Sequence, residues 1–199
     1  MNGAAAPVAA PLARVVSGLV APFPLGMGLV VVAAWRLDPP SLPRALAGMA
    51  MVVAIVWMVA WRRWRSGRWS TIDASRPQER PLLYVLALLL AGAYWLWLGG
   101  RGSAMSTGVL AATAMLCVAA LANRWIKLSL HLACAAFAGV VLLGLWWPAG
   151  SVLLACLPVL AWSRLRLARH APMEVVGGAL LGGGAGGGGL LTYGGGRRP

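Results

Sequence analysis

The chain has 199 residues, of which 60% are hydrophobic and 11% charged, with a mean hydropathy of +0.79. That composition excludes a soluble globular protein and predicts one integral-membrane domain, residues 1–199, with no sizeable soluble module. The net charge of +13 comes from sixteen arginines and one lysine at the ends of apolar runs, which fits lipid headgroups rather than nucleic acid.

In chain order, the charged residues mark the spans. Residues 15–35 form a 21-residue uncharged run between Arg14 and Arg36, too long for a signal-peptide core and expected to be one uncleaved helix. Residues 45–61 make a second run of 17, followed by WRRWRSGRW (61–69), expected to anchor the chain among anionic headgroups. Residues 81–100 and 102–123 supply runs of 20 and 22. Each is long enough to cross the roughly 30 Å hydrocarbon layer as a helix. Residues 128–163 number 36, about 54 Å as one helix, so this run must fold back. The break is expected in WWPAGS (146–151), where Pro148 and Gly150 end one helix and turn the chain. The hairpin arms are then 128–147 and a short 149–163.

A last run, Val175 to Gly196, includes GGGAGGGG (182–189), whose small residues suit close packing between membrane helices. No lysine follows it and no strand precedes it, so a phosphate-cradling loop is discounted. Most tryptophans sit near the proposed span ends, where indoles favour the headgroup level. The fold expected is all-α: a polytopic membrane helical bundle of six or seven transmembrane helices. Cys117, Cys134 and Cys156 fall inside apolar runs and read as small hydrophobes, not disulfides or metal ligands.

Seven crossings return residues 62–80, 124–127 and 164–174 to the face that holds the amino terminus. Twelve basic residues then lie on that face and five on the other, which makes the first face cytoplasmic by the positive-inside rule. The bias toward arginine, alanine and glycine matches a GC-rich bacterial genome and hence a bacterial inner membrane. Three polar segments share that face: RWSTIDASRPQERP (68–81), NRWIKLSLH (123–131) and SRLRLARHAPME (163–174). Ionisable groups at membrane depth are costly and usually serve a function. Arginines and a lysine can neutralise a phosphate, one histidine can attack phosphorus, and the other can protonate the departing oxygen.

These segments resemble the type 2 phosphatidic acid phosphatase superfamily, which includes vanadium haloperoxidases and carries K-x6-R-P, P-S-G-H and S-R-x5-H-x3-D. Ser163, Arg164 and His170 fit the third motif at full spacing, with Glu174 in place of aspartate. Ser129 and His131 fit the second, with Leu128 and Leu130 replacing its proline and glycine. For the first, Arg80-Pro81 and Arg76-Pro77 both offer the R-P pair, but Asp73 or Trp69 stands where lysine would, and Arg68 or Lys127 could supply the missing cation. The resemblance covers a core of about residues 68–192.

It implies a metal-independent, cofactor-free lipid-phosphate phosphatase, acting on a phosphatidate, phosphatidylglycerophosphate or polyprenyl phosphate through a phosphohistidine. His170 would be the nucleophile, Glu174 its orienting acceptor and His131 the general acid and later base. Arg164, Arg80 or Arg76, Lys127 and Ser129 would hold the phosphoryl oxygens. Plainer roles exist for each: Arg164 could anchor a helix by snorkelling, while Glu174 and Pro172 suit a helix start. A catalytically silent headgroup-binding relative and a small transporter are the rival functions. The four acidic residues are too scattered for Asp-rich magnesium motifs.

Overall fold

The computed structural model describes residues 9–70 and 79–195, and every regular element among them is helical. Besides two short 3-10 turns, Pro39–Ser41 and Gly100–Gly102, these are in chain order α1 (Ala9–Leu19), α2 (Pro22–Leu37), α3 (Leu42–Arg65), α4 (Arg80–Trp97), α5 (Ser106–Ala122), α6 (Leu130–Leu145), α7 (Trp147–Ala155), α8 (Leu157–Arg166) and α9 (Pro172–Gly195). Among the described residues, four stretches are long and apolar enough to cross a membrane: Ala10–Leu37, Pro39–Arg65, Arg80–Trp97 and Trp147–Arg166. Ser106–Ala122 and Leu130–Leu145 are apolar but shorter.

The first span is not the single helix its composition suggests. The backbone becomes extended at Ala21, with ψ 155°, because the ring of Pro22 disfavours the helical region for the residue before it. Pro22 then suits the first turn of α2, where its missing N–H costs nothing. The break frees α1 to pack against α8 while α2 packs against α6.

The long run at 128–163 does fold back. The helical path stops at Trp146, with φ −155° and ψ 87°, and the Gly150 N–H donates to the Trp146 carbonyl at 3.2 Å. From there α7 returns along α6. A Cβ on Gly139 would lie 2.8 Å from Leu154 Cγ, and one on Gly150 would strike the backbone of Leu143. The second arm is longer than 149–163, running through α7 and α8 with an interruption at Cys156. Pro158 causes it, since it cannot donate to the carbonyl four residues back.

The closest helix contact is between α6 and α9. Gly178, Gly182 and Gly186 recur every four residues along one face of α9, and they meet Ser129, Ala133 and Phe137 of the α6 strand of chain in the same order. The two helices therefore run parallel. A Cβ on Gly178 would stand 2.5 Å from Ser129 O, one on Gly182 would overlap Ala133 O, and one on Gly186 would come to 3.0 Å from Phe137 O. Glycine here is a requirement of backbone approach. Gly189 extends the contact to Ala111 of α5, at 3.1 Å.

The two ends of the bundle are tied separately. At one, Arg36 Nε donates to Leu145 O at 2.9 Å, Arg44 to Leu98 O at 3.1 Å, and Trp35 meets Trp146 edge-on at 6.3 Å. At the other, Asn123 Nδ2 donates to Tyr84 Oη at 2.7 Å and Lys127 Nζ to Arg169 O at 2.7 Å. Trp61 and Trp64 are exposed there, with Arg65 stacked 5.2 Å from the Trp61 ring. Trp69, at the end of that same basic run, is not interfacial: it is buried against Ala60, Leu82 and Leu83.

Replacing Gly182 with valine is expected to cost more than about 3 kcal/mol, since two backbones must separate. Gly183→Ala, where nothing lies within 4 Å of the added Cβ, is expected to stay within about 1 kcal/mol of wild type. Thermal unfolding of both variants in detergent micelles measures the difference, and equal stabilities would contradict the packing.

Candidate functional site

Parallel α6 and α9 deliver both their amino termini, the positive ends of their dipoles, to one place. The Ser129 N–H donates to Glu174 O at 3.0 Å, joining the two starts directly. The link from α8 to α9 arrives at the same point. α8 closes with paired bonds from Ala168 N–H to Leu165 O (3.0 Å) and from Arg169 N–H to Arg164 O (3.2 Å), the pattern of a Schellman cap. The residue in the left-handed position is Ala168, with φ 50°, where glycine would be unstrained; the cost is about 1 kcal/mol. Gly67 fills the equivalent position after α3, with φ 69°.

The turn at Ala168 sets His170 against α6 and α9. Its side chain is only 8% exposed. Nδ1 lies 3.0 Å from Glu174 Oε2 and 3.2 Å from Lys127 O. Both neighbours are acceptors, so Nδ1 carries the hydrogen, and in the neutral ring Nε2 keeps the lone pair. The same Glu174 Oε2 accepts the Ala171 N–H at 3.0 Å. Glu174 is the third residue of α9 and Ala171 its cap, so one carboxylate closes the start of the helix and orients the imidazole.

Cations surround this pair. Burial and the Arg164 guanidinium push the His170 pKa below its ordinary 6.5, against the upward pull of Glu174, while the Lys127 charge lowers it further. Lys127 is itself held below its ordinary value by burial, by Arg80 first among the charges, and by Arg164 and Arg169, with Glu174 opposing. Arg80, Lys127, Arg164 and Arg169 thus act on one small region. Arg164 is 6% exposed, and its Nη1 donates to Ser17 Oγ at 2.7 Å. Ser163, beside it, donates to Ala13 O at 2.7 Å. Ser129 is fully buried, and its hydroxyl has no hydrogen-bond partner among the described residues.

His170, Glu174 and Lys127 are in direct contact, Ser129 joins them through the backbone, and Arg80 and Arg164 bear on them electrostatically. His131 is the second residue of α6, two beyond Ser129 at the same end of the bundle. Arg68 is exposed beyond the cap of α3. Arg76 and Asp73 lie outside the described residues. No group of three or more His, Cys, Asp or Glu that could hold a metal gathers among the described residues.

Two participants escaped the sequence reading. Ser17 is a lone polar residue in the first apolar run, and that isolation was its only signal. Glu79 is 7% exposed and accepts the Ser70 N–H at 2.7 Å, which holds the chain entering α4 next to Arg80. Its signal was a carboxylate adjoining an R-P pair. The chain matches no family model, no curated protein and no solved structure.

The folded protein favours neutral His170, so stability present above pH 6.5 is expected to fall as the pH drops from there through the folded-state value. Nitrogen-15 NMR of histidine-labelled protein, with His131→Gln to assign the two signals, should show His170 titrating below 6.5. Arg164→Gln should raise that midpoint and Glu174→Gln should lower it. A wild-type midpoint above 6.5 would contradict the electrostatics described.

Proposed function

We propose that this chain is a metal-independent phosphatase of lipid phosphate monoesters or diphosphates, embedded by seven crossings in a bacterial inner membrane with its site at the cytoplasmic face. One observation carries the reading: a histidine with Nδ1 held by a carboxylate and a carbonyl, in a region on which four cations act, so that its neutral ring offers the Nε2 lone pair. A lone interfacial histidine has no use for that arrangement.

Arg164, Arg80, Lys127 and the Ser129 hydroxyl hold the phosphoryl oxygens. Ser129 fits this role because an unpaired buried hydroxyl costs about 1–3 kcal/mol, a deficit that a phosphoryl oxygen removes. The Nε2 lone pair of His170 attacks phosphorus; the P–N bond forms as the P–O bond to the lipid breaks. The departing oxygen takes its proton from His131. Glu174 balances the positive charge that phosphorylation places on the ring. His131, now neutral, takes a proton from water as the water oxygen attacks phosphorus. The P–N bond breaks, inorganic phosphate leaves and both histidines return to their starting states. Lys127 stands in for the lysine missing from the first motif, a choice supported by its electrostatic coupling to Arg80.

On this reading the site opens at the bundle end that carries the exposed Trp61, Trp64 and Trp125, so a phosphate at headgroup level reaches it while its tails stay in lipid. Phosphate release from a panel of long-chain phosphatidates, phosphatidylglycerophosphates and polyprenyl phosphates tests the reading. His170→Ala is expected to abolish turnover, a loss on the order of a thousandfold or more, and His131→Ala to slow it roughly a hundredfold or more. Equal release by all three proteins would remove the enzyme and leave a headgroup-binding protein or a transporter.

A further inference from the structure

We infer that α1 is a working part of the phosphate site and that Ser17 is a positioning residue that sets the orientation of Arg164. The inference rests on the phosphatase reading for the role of Arg164, and on separate geometry for the role of Ser17.

Arg164 and Ser17 are 147 residues apart in sequence, yet Nη1 and Oγ are 2.7 Å apart and both residues are buried, at 6% and 8% exposure. The neighbouring bond from Ser163 to Ala13 O, also 2.7 Å, fixes α8 to the same face of α1 one turn away. Ala13 and Ser17 are the buried positions of α1, while Leu12, Val15 and Leu19 are exposed on its other side. The helix therefore turns its small residues to α8 and carries Leu12, Val15 and Leu19, together with Arg14, on its outer side. The interruption at Ala21 makes this possible, because α1 need not follow the line of α2. A guanidinium has five N–H donors on a flexible stem. Bonding one of them to a rigid hydroxyl restricts the orientation of the guanidinium before a phosphoryl group arrives. Ser17 touches no reacting atom in this scheme. It acts through Arg164.

The test compares Ser17→Ala, Ser17→Thr and Val16→Ala. Val16 packs in the cluster formed by α1, α6, α8 and α9 without a bond to Arg164, so its truncation loosens α1 while leaving the guanidinium contact in place. Binding of orthovanadate, a phosphoryl transition-state mimic, is measured by calorimetry on the full chain in micelles, beside kcat and KM for a phosphatidate and thermal stability. Ser17→Ala is expected to weaken orthovanadate binding about tenfold, the size of a lost charged hydrogen bond, and Ser17→Thr to restore it. Val16→Ala should lower thermal stability with orthovanadate affinity within twofold of wild type.

Ser17→Ala binding within twofold of wild type overturns the inference. So does an equal weakening by Ser17→Ala and Val16→Ala, which would make the bond merely structural. Wild type that binds orthovanadate without hydrolysing any lipid phosphate removes the phosphatase reading and leaves the binding comparison able to decide on Ser17. Wild type that binds no orthovanadate overturns both.

Discussion

The contact on which the site depends is the backbone-to-backbone approach of α6 and α9. Because Gly178, Gly182 and Gly186 present no Cβ, the two helices lie together along their length, and because they run parallel, both amino termini reach the same level. A side chain on any of the three would push α9 outward. Glu174 would then leave the Ser129 N–H, and with it go the alignment of His170 and the Lys127 carbonyl. A run that is a poor helix former on its own is here the surface along which α6 and α9 align, since small residues let two helix backbones approach closely.

Glu174 shows why structural and functional explanations of one residue need not compete. Its Oε2 accepts from Ala171 N–H, as a helix start requires, and from His170 Nδ1, as an oriented imidazole requires. Both donors converge on one oxygen because the histidine immediately precedes the cap of α9. The longer side chain of glutamate suits this geometry, since the carboxylate must reach back over the first turn. Aspartate at 174 would lie one methylene short of the same double contact.

Much of the bundle was legible because charge and hydrophobicity mark membrane spans directly. The fold-back near Pro148 followed from length alone, as 36 uncharged residues overshoot any bilayer. The break at Ala21 was missed because prolines 22 and 24 lie inside an unbroken apolar run, and hydropathy is blind to backbone constraint. Trp69 was misplaced for a related reason: a basic run full of tryptophans has the composition of an interface even where one ring turns inward onto Ala60, Leu82 and Leu83. The meeting of residues 127–129 with 169–174 at one end of the bundle could be anticipated from the fold-back. The Ser17 bond to Arg164 could not, since it joins residues far apart in sequence through a helix whose packing depends on the unforeseen break.

The leucines on either side of Ser129 also find their place in the packing. Leu128 stands where the motif that the sequence resembles carries proline, and its Cδ2 would be only 2.8 Å from a Cβ on Gly177. The larger residue before α6 is therefore accommodated by an absent side chain on α9, and the link that carries Lys127 and Ser129 stays close to the helix bearing Glu174. Leu130 opens α6 directly after Ser129, whose hydroxyl makes no capping bond to the helix it precedes. That hydroxyl is buried, has no hydrogen-bond partner among the described residues and stands at the positive end of two helices. On the proposed reading, the conformational freedom lost with glycine at 130 matters less than the placement of this one oxygen, which the contact between α6 and α9 maintains without it.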